Sequence, residues 1–429
     1  MGIAMGKATV QKALSAHSAI GLICCALLYL ICVTGTAIVL YEEWQRFEQP
    51  GAPEMASIEP AAIQRGIENV LESEKAQATT THLFVHLPTD ALPRTTITTD
   101  TQAVHIDAAG GIVMPEENAW AKFVLALHYR LNLPAIVGMT LVGALGAMMV
   151  ALAISGTMAH PRIFRDAFRL RARRKDDIAT VDWHNRLAVW TLPFGIAIAL
   201  TGAIIGLFYV SGFGMAATAY GGDVERVTEA IFGEEGEPDP APAVTPDILP
   251  ALNYMTANFE KVTPYYVILH DPQTAGQHIQ IIGEHPQRRI FGEYYAFDGD
   301  GQFLSSAGLA DGSIGQQLAA STYNLHFGNF GGLPVKIAYI VFGLALSAIA
   351  ATGTFIWLNR RERRGLPAKR LRTLWWAVVI GTPLGLVTTL VGRLLYGNSA
   401  PFVSIFWATF ILTAISVAAF RWRRVRLIK

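Results

Sequence analysis

The chain is short of charge. Only 16% of its 429 residues are Asp, Glu, Lys or Arg, against roughly a quarter in ordinary soluble domains. Hydrophobic residues make up 52%, and the mean hydropathy is +0.34, so a purely soluble globular protein is disfavoured. Charge of one sign is lacking too: 34 Lys and Arg against 33 Asp and Glu leave a formal net charge of +1, which excludes a generally basic nucleic-acid binder. Cysteine is scarce. Cys24, Cys25 and Cys32 lie in one apolar run, too few and too close for a disulfide scaffold or a zinc site, and read as packing or lipid-facing residues.

What the chain has is long apolar runs. A helix needs roughly 20 apolar residues to cross the hydrocarbon of a bilayer, and six stretches reach that length, near 18–40, 134–158, 185–210, 333–358, 374–396 and 401–420. The first run ends in Tyr41-Glu42-Glu43-Trp44 without a small-residue cleavage pattern, so it reads as a retained helix and not a removed signal peptide. Lys and Arg collect on the cytoplasmic side of membrane spans. Seven fall in 160–182, seven in 359–373 and five from Arg421 onward. Segments 41–127 and 211–325 are acidic instead, with five and four basic residues against thirteen and fifteen acidic ones. The expected topology has both termini inside and both acidic segments outside, in a bacterial inner membrane.

The halves repeat. His17 precedes Thr34-Gly35 by 17 residues and His184 precedes Thr201-Gly202 by the same 17, which makes the first and third spans copies. Leu127-His128 opens the second span, which ends Ser155-Gly156-Thr157; Leu325-His326 opens the fourth, which ends Thr352-Gly353-Thr354. Each insert between them reads as a helix (59–75; 246–260), strands (81–87, 94–99 and 104–107; 264–270, 277–282 and 294–298) and an Asp-x-x-Gly turn at Asp107-Ala108-Ala109-Gly110 or Asp298-Gly299-Asp300-Gly301. The fold expected is a polytopic α-helical membrane protein with six transmembrane helices and two small periplasmic α+β domains inserted in a duplicated unit. Its parts are a span within 1–40, a domain at 41–127, a span at 128–160, a basic loop at 161–182, a span at 183–210, a domain at 211–325, a span at 326–358, a basic loop at 359–373, and two spans with a basic tail at 374–429.

An ionisable residue on a span is expensive unless it meets a partner, and is a functional candidate for that reason. His17 and His184 stand at the inner ends of spans one and three, His128 and His326 at the outer ends of spans two and four. Two same-side pairs result, and neutral imidazole is a common metal ligand. Gly21 beside His17, Ala188 beside His184, and Gly328, Gly331 and Gly332 beside His326 are small residues that leave room beside the rings. His160, at the inner end of span two, is a fifth candidate; the duplication sets Trp357 opposite it. The alternative for each is an interfacial histidine bonded to a headgroup or carbonyl. His82 and His86 share a strand face with Phe84, while His270, His278 and His285 are scattered; all read as solvated strand residues more readily than as a metal or siderophore contact.

Those residues give the chain a resemblance. Leu127-His128, Ser155-Gly156 with His160-Pro161-Arg162, Asp182-x-His184-Asn185, Leu325-His326-Phe327-Gly328 and the two Asp-x-x-Gly turns are similar to the PepSY-associated transmembrane family of iron-regulated bacterial inner-membrane proteins, over about residues 15–364. The resemblance implies PepSY folds for the inserts and, as in the ferric-siderophore reductases of the family, two b-type haems, an inner one on His17 and His184 and an outer one on His128 and His326. No strand-linked Gly-x-Gly-x-x-Gly occurs on the inner side, and no Gly-x-x-x-x-Gly-Lys loop anywhere, so electrons are expected from an external donor, a quinol or a soluble carrier. The expected partners are a ferric siderophore, that donor and membrane lipid, with no nucleic acid. The competing expectations are a non-enzymatic membrane-anchored module that restrains a periplasmic peptidase or senses an envelope signal, and a transporter; no charged mid-membrane site favours the latter.

Overall fold

The computed structural model describes residues 6–77, 79–160, 162, 178–232, 238–285, 290–307 and 312–427. Most of the basic segment 160–182 and the last two residues of the basic tail lie outside these. The chain divides into two compact units, one formed by residues 1–41, 119–209 and 331–429, the other by 42–118 and 210–330.

The first unit is helical. Its long members are α1 (Lys7–Ile38), α5 (Ala135–Ala159), α12 (Gly332–Arg363), α13 (Lys369–Tyr396) and α14 (Phe402–Leu427). Among the described residues five helices are long and apolar enough to cross a membrane, or six if one bent pair counts as a single span. That pair replaces the straight third span expected over 185–210: α6 (Ile178–Trp190) and α7 (Leu192–Gly206) meet at a 69° bend. Thr191 separates them, and Pro193 follows at the second position of α7, where a missing N–H does no harm. The apolar residues run all round these helices, as they do where one face meets lipid and the other meets helix.

The second span also differs from expectation. His128 does not continue it outward but lies on a separate helix, α4 (Ala119–Arg130). Leu131 and Asn132 then take positive φ values of 54° and 53°, and Pro134 caps α5. The chain turns so tightly that a Cβ on Gly138 would lie 2.2 Å from the Arg130 carbonyl oxygen. Glycine is required there because two helix backbones touch.

The second unit holds α2 (Tyr41–Glu48), α3 (Pro60–Ser73) and α10 (Leu249–Asn258), with α8 (Phe208–Ala219) at its boundary, then α9 (Glu225–Phe232) and α11 (Ile314–Phe327). The two inserts join in one antiparallel sheet of eight strands, in the order β4-β3-β2-β1-β5-β6-β7-β8. The strands are β1 (His82–His86), β2 (Thr95–Thr98), β3 (Ala103–Ile106), β4 (Ile112–Pro115), β5 (Thr263–His270), β6 (His278–His285), β7 (Ile290–Phe297) and β8 (Phe303–Ser306). Each insert is a four-strand meander, and β1 pairs with β5, placing His82 opposite His270 and Val85 opposite Val267. One core serves both copies: Ile63, Ile67 and Val70 of α3 and Leu252 and Met255 of α10 cover Val85, Ile97, Val267 and Ile281. In place of two separate domains the structure therefore has one fused sheet, which buries strand edges that a lone four-strand meander would expose.

The two Asp-x-x-Gly turns are built alike. Asp107 Oδ1 accepts from the N–H groups of Ala109 and Gly111, and Asp298 Oδ1 from those of Asp300 and Gln302. Gly110 and Gly301 hold φ values of 87° and 75°.

Candidate functional site

A cavity of about 400 Å³ opens among α1, α5, α6, α7 and α12 in the helical unit, and both His17 and His184 line it. Their ring centroids are 6.4 Å apart and their planes cross at 81°. Three elements fix each ring. His17 Nδ1 lies 3.0 Å from the Leu152 carbonyl oxygen and 3.3 Å from Ser155 Oγ. His184 Nδ1 lies 3.1 Å from both the Ile349 carbonyl oxygen and Thr352 Oγ1. Ser155 and Thr352 each spend their own proton on a carbonyl one turn back, of Ala151 and Ala348 at 2.6 Å. Both partners of each Nδ1 are thus acceptors, so Nδ1 carries the proton and donates. The chemistry of the partners assigns this tautomer, and Nε2 is left with its lone pair free. Metal-binding histidines are held in this way, the second ring nitrogen donating to a carbonyl.

Glycine completes each seat. A Cβ on Gly156 would stand 3.1 Å from His17 Cε1, and one on Gly353 3.1 Å from His184 Cε1. The seat is thus a five-residue pattern on a helix: an apolar residue whose carbonyl accepts, Ser or Thr three positions on, and Gly at the fourth. His128 uses the same device on α1, with Nδ1 donating to the Ile31 carbonyl at 3.1 Å and to Thr34 Oγ1 at 3.3 Å, and with Gly35 beneath the ring. The first two spans therefore exchange histidines, His17 of α1 resting on α5 and His128 of α4 resting on α1. Ile198, Thr201 and Gly202 on α7 repeat the pattern a fourth time. These Ser/Thr-Gly pairs are landmarks of the duplication in the sequence, where nothing marks them as seats. The signal that finds them is their identical spacing from a backbone carbonyl.

Of the five candidate histidines, the structure brings His17 and His184 together and sets His160, the first residue past α5, on the wall of the same cavity, where Trp357 also appears. His128 has its own seat. His326 belongs to the other unit, half-buried near the end of α11, with its ring centroid 5.8 Å from that of Phe327. Gly21 and Ala188 do line the cavity. Gly328 and Gly331, in contrast, serve the backbone, with φ values of 72° and 68° where α11 ends and α12 begins.

The soluble histidines are less scattered than the sequence suggests. His82, His270 and His278 face one another across β1, β5 and β6. The His270 and His278 rings stack at 4.4 Å, and His82 meets His270 edge-on at 5.1 Å. His270 is buried, and its Nε2 lacks a hydrogen-bond partner. Burial first, and then the neighbouring His278 and His82, push the His270 pKa down to about 4. Burial also takes His86 down to about 4.

The separation of the pair can be compared with that of two imidazoles on one metal. Two imidazoles binding one iron from opposite sides at about 2.0 Å put their ring centres roughly 6.3 Å apart, and the observed separation is 6.4 Å. Among the described residues no group of three or more His, Cys, Asp or Glu is arranged to hold a bare metal ion. Two imidazoles alone do not complete a metal's coordination; a porphyrin held by His17 and His184 would supply the remaining nitrogen ligands.

Fold and site together define a multi-span membrane protein with a fused sheet unit and histidines seated between its helices. The chain belongs to the PepSY-associated TM region family, whose model matches residues 14–360. It is 26% identical over 254 residues to an uncharacterized protein of Pseudomonas aeruginosa, a match that covers 55% of this chain and 62% of that protein.

Proposed function

We propose that the protein is a haem-containing oxidoreductase of a bacterial inner membrane that carries electrons across the bilayer to a ferric siderophore. The observation that carries this reading is the His17–His184 pair, 6.4 Å between centroids across a cavity with both Nδ1 protons bound to backbone carbonyls. In this proposal the six spans place both termini in the cytoplasm and the fused sheet in the periplasm. His17 and His184 hold an inner b-type haem, and each of His128 and His326, the other two histidines of the repeat, is a candidate ligand of a second, outer one. When bound, the haems supply reversible one-electron storage between Fe(III) and Fe(II). The chain's part is to fix the imidazoles in one tautomer, present their free nitrogens to the cavity, and exclude water with apolar walls. Each ferric chelate takes one electron, so a quinol releasing two electrons and two protons serves two chelates, and a soluble one-electron carrier serves one. Reduction releases the metal because hard oxygen chelators hold Fe(III) more tightly than Fe(II).

The test is an absorption spectrum of the detergent-purified protein before and after dithionite. A Soret band that shifts on reduction supports the proposal; a colourless protein, after expression with haem available, refutes it and favours the non-enzymatic module. Ligands are then assigned by substitution. His17→Ala or His184→Ala removes one haem and spares the other, and His128→Ala or His326→Ala does the converse. Full haem content in any of the four rejects that residue as a ligand.

A further inference from the structure

The walls of the cavity are asymmetric along the helices. On α5 and α12, Met149 and Leu346 lie two turns to one side of the seats at Gly156 and Gly353; with Leu28 and Cys32 of α1 they make that end apolar. On the other side, His160, the residue that ends α5, lies four positions past Gly156, and Arg360 lies seven past Gly353, roughly 10 Å of helix rise. Among the described lining residues Arg360 is the one Lys or Arg, and none is Asp or Glu. Its guanidinium, exposed at the edge of an apolar cavity, can pair with an anion. The edge of an iron porphyrin that carries carboxylates is such an anion, and its opposite edge is apolar.

We propose that Arg360 and His160 form the carboxylate-receiving end of this cavity. Arg360 pairs with one propionate of the inner haem and His160 donates to the other, so the macrocycle enters in one orientation with its vinyl edge toward Met149 and Leu346. His160 is then a positioning residue and not an iron ligand. This inference rests on the haem reading of the His17–His184 pair.

The experiment titrates the full-length apoprotein in detergent with ferric protoporphyrin IX and, separately, with its dimethyl ester, which has the same iron and ring but no carboxylates. Low-spin Soret absorption and electron paramagnetic resonance are the readouts. The unaltered protein binds the diacid at least about tenfold more tightly than the ester, the size of one charge-assisted hydrogen bond. Arg360→Ala abolishes that preference by weakening the diacid alone, Arg360→Lys restores part of it, and His160→Ala narrows it while leaving the low-spin signal unchanged. Equal binding of acid and ester by the unaltered protein overturns the proposal. So does an Arg360→Ala variant that loses affinity for both equally, or a His160→Ala variant that turns high-spin. If neither porphyrin gives a low-spin spectrum, the haem reading itself fails, a result distinct from loss of preference.

Discussion

Gly35 offers the sharpest test of the histidine seats. Its missing side chain lets His128 lie directly on α1, and a Cβ there would come to 2.7 Å from His128 Cε1 and 3.2 Å from Nδ1. Carbon atoms in van der Waals contact stand about 3.5–4.0 Å apart, so Gly35→Ala requires the ring to retreat by about 1 Å. The bond from Nδ1 to the Ile31 carbonyl starts at 3.1 Å and does not survive that retreat. Overpacking of this kind costs about 1–3 kcal/mol, and stranding a buried donor about 1–3 kcal/mol more. At Gly156 and Gly353 the corresponding contacts are 3.1 Å, and the rings need give only about half as much. The three alanine variants should therefore rank. Gly35→Ala loses the haem that depends on His128 and melts earlier in detergent, while Gly156→Ala and Gly353→Ala keep their haem with a perturbed low-spin spectrum. Haem content by pyridine haemochrome and thermal unfolding in detergent measure both effects. If Gly35→Ala keeps full haem content and an unchanged melting temperature, the glycine is not a seat. If all three variants behave alike, the distances do not govern the outcome.

The other predictions concern spectroscopy, acid and electron flow. The imidazole planes of His17 and His184 cross at 81°, so a ferric haem held by this pair, as proposed, should give a highly anisotropic, large-gmax low-spin resonance; a purely rhombic signal would mean parallel imidazoles and a different ligand pair. His270 is neutral when folded, with a pKa of about 4 against 6.5 unfolded, so the unfolded chain takes up the proton first as pH falls. The sheet unit should then keep its stability above pH 6.5 and lose it between 6.5 and 4, by at most about 3 kcal/mol from this residue. His82, His278 and Gln280 touch the ring, and Asp100 lies close to His82 through their shared Thr81 contact. His270→Gln should flatten the pH profile of hydrogen exchange in β5 and β6, and an unaltered profile would refute the assignment. Finally, Phe194 packs edge-on against Tyr339 at 5.0 Å and tilted against Phe342 at 5.1 Å, and Phe194→Leu should slow transfer between the haems after flash reduction of one; an unchanged rate would remove the trio from the path.

Much of this architecture is legible in the sequence, because apolar length and periodicity are local properties. The element at 59–75 appears as Pro60–Ser73, and the strands at 81–87 and 94–99 appear as His82–His86 and Thr95–Thr98. Both Asp-x-x-Gly turns form, since an Asp oxygen capping the N–H groups two and four residues on needs nothing from elsewhere in the chain. The features that stay hidden depend on long-range pairing. Register between β1 and β5 joins residues 180 or more apart, and nothing local announces that two inserts share one sheet. The row of His82, His270 and His278 follows from that pairing alone. Likewise, Pro134 marks a possible break before α5, yet only the positive φ values at Leu131 and Asn132 turn the chain back and bring His128 onto Gly35.

That turn alters the distance over which electrons would have to pass. A straight helix through Pro134 would carry His128 some ten residues beyond the apolar part of span two, adding up to about 15 Å. With α4 folded back, the level of His128 is set by Gly35 on α1, eighteen residues from His17 on the same helix, or about 27 Å of rise. The same length of α5 separates Gly156 from Gly138, where α4 touches it. Two helices thus fix the spacing of the histidine levels at close to the thickness of the hydrocarbon core. Each span donates a histidine at one level and a seat at the other, so neither level can shift along the bundle without dislodging its partner. If electrons cross the bilayer as proposed, redox centres must be held at two depths, and the exchanged seats supply that constraint from backbone carbonyls, Ser or Thr hydroxyls and glycines.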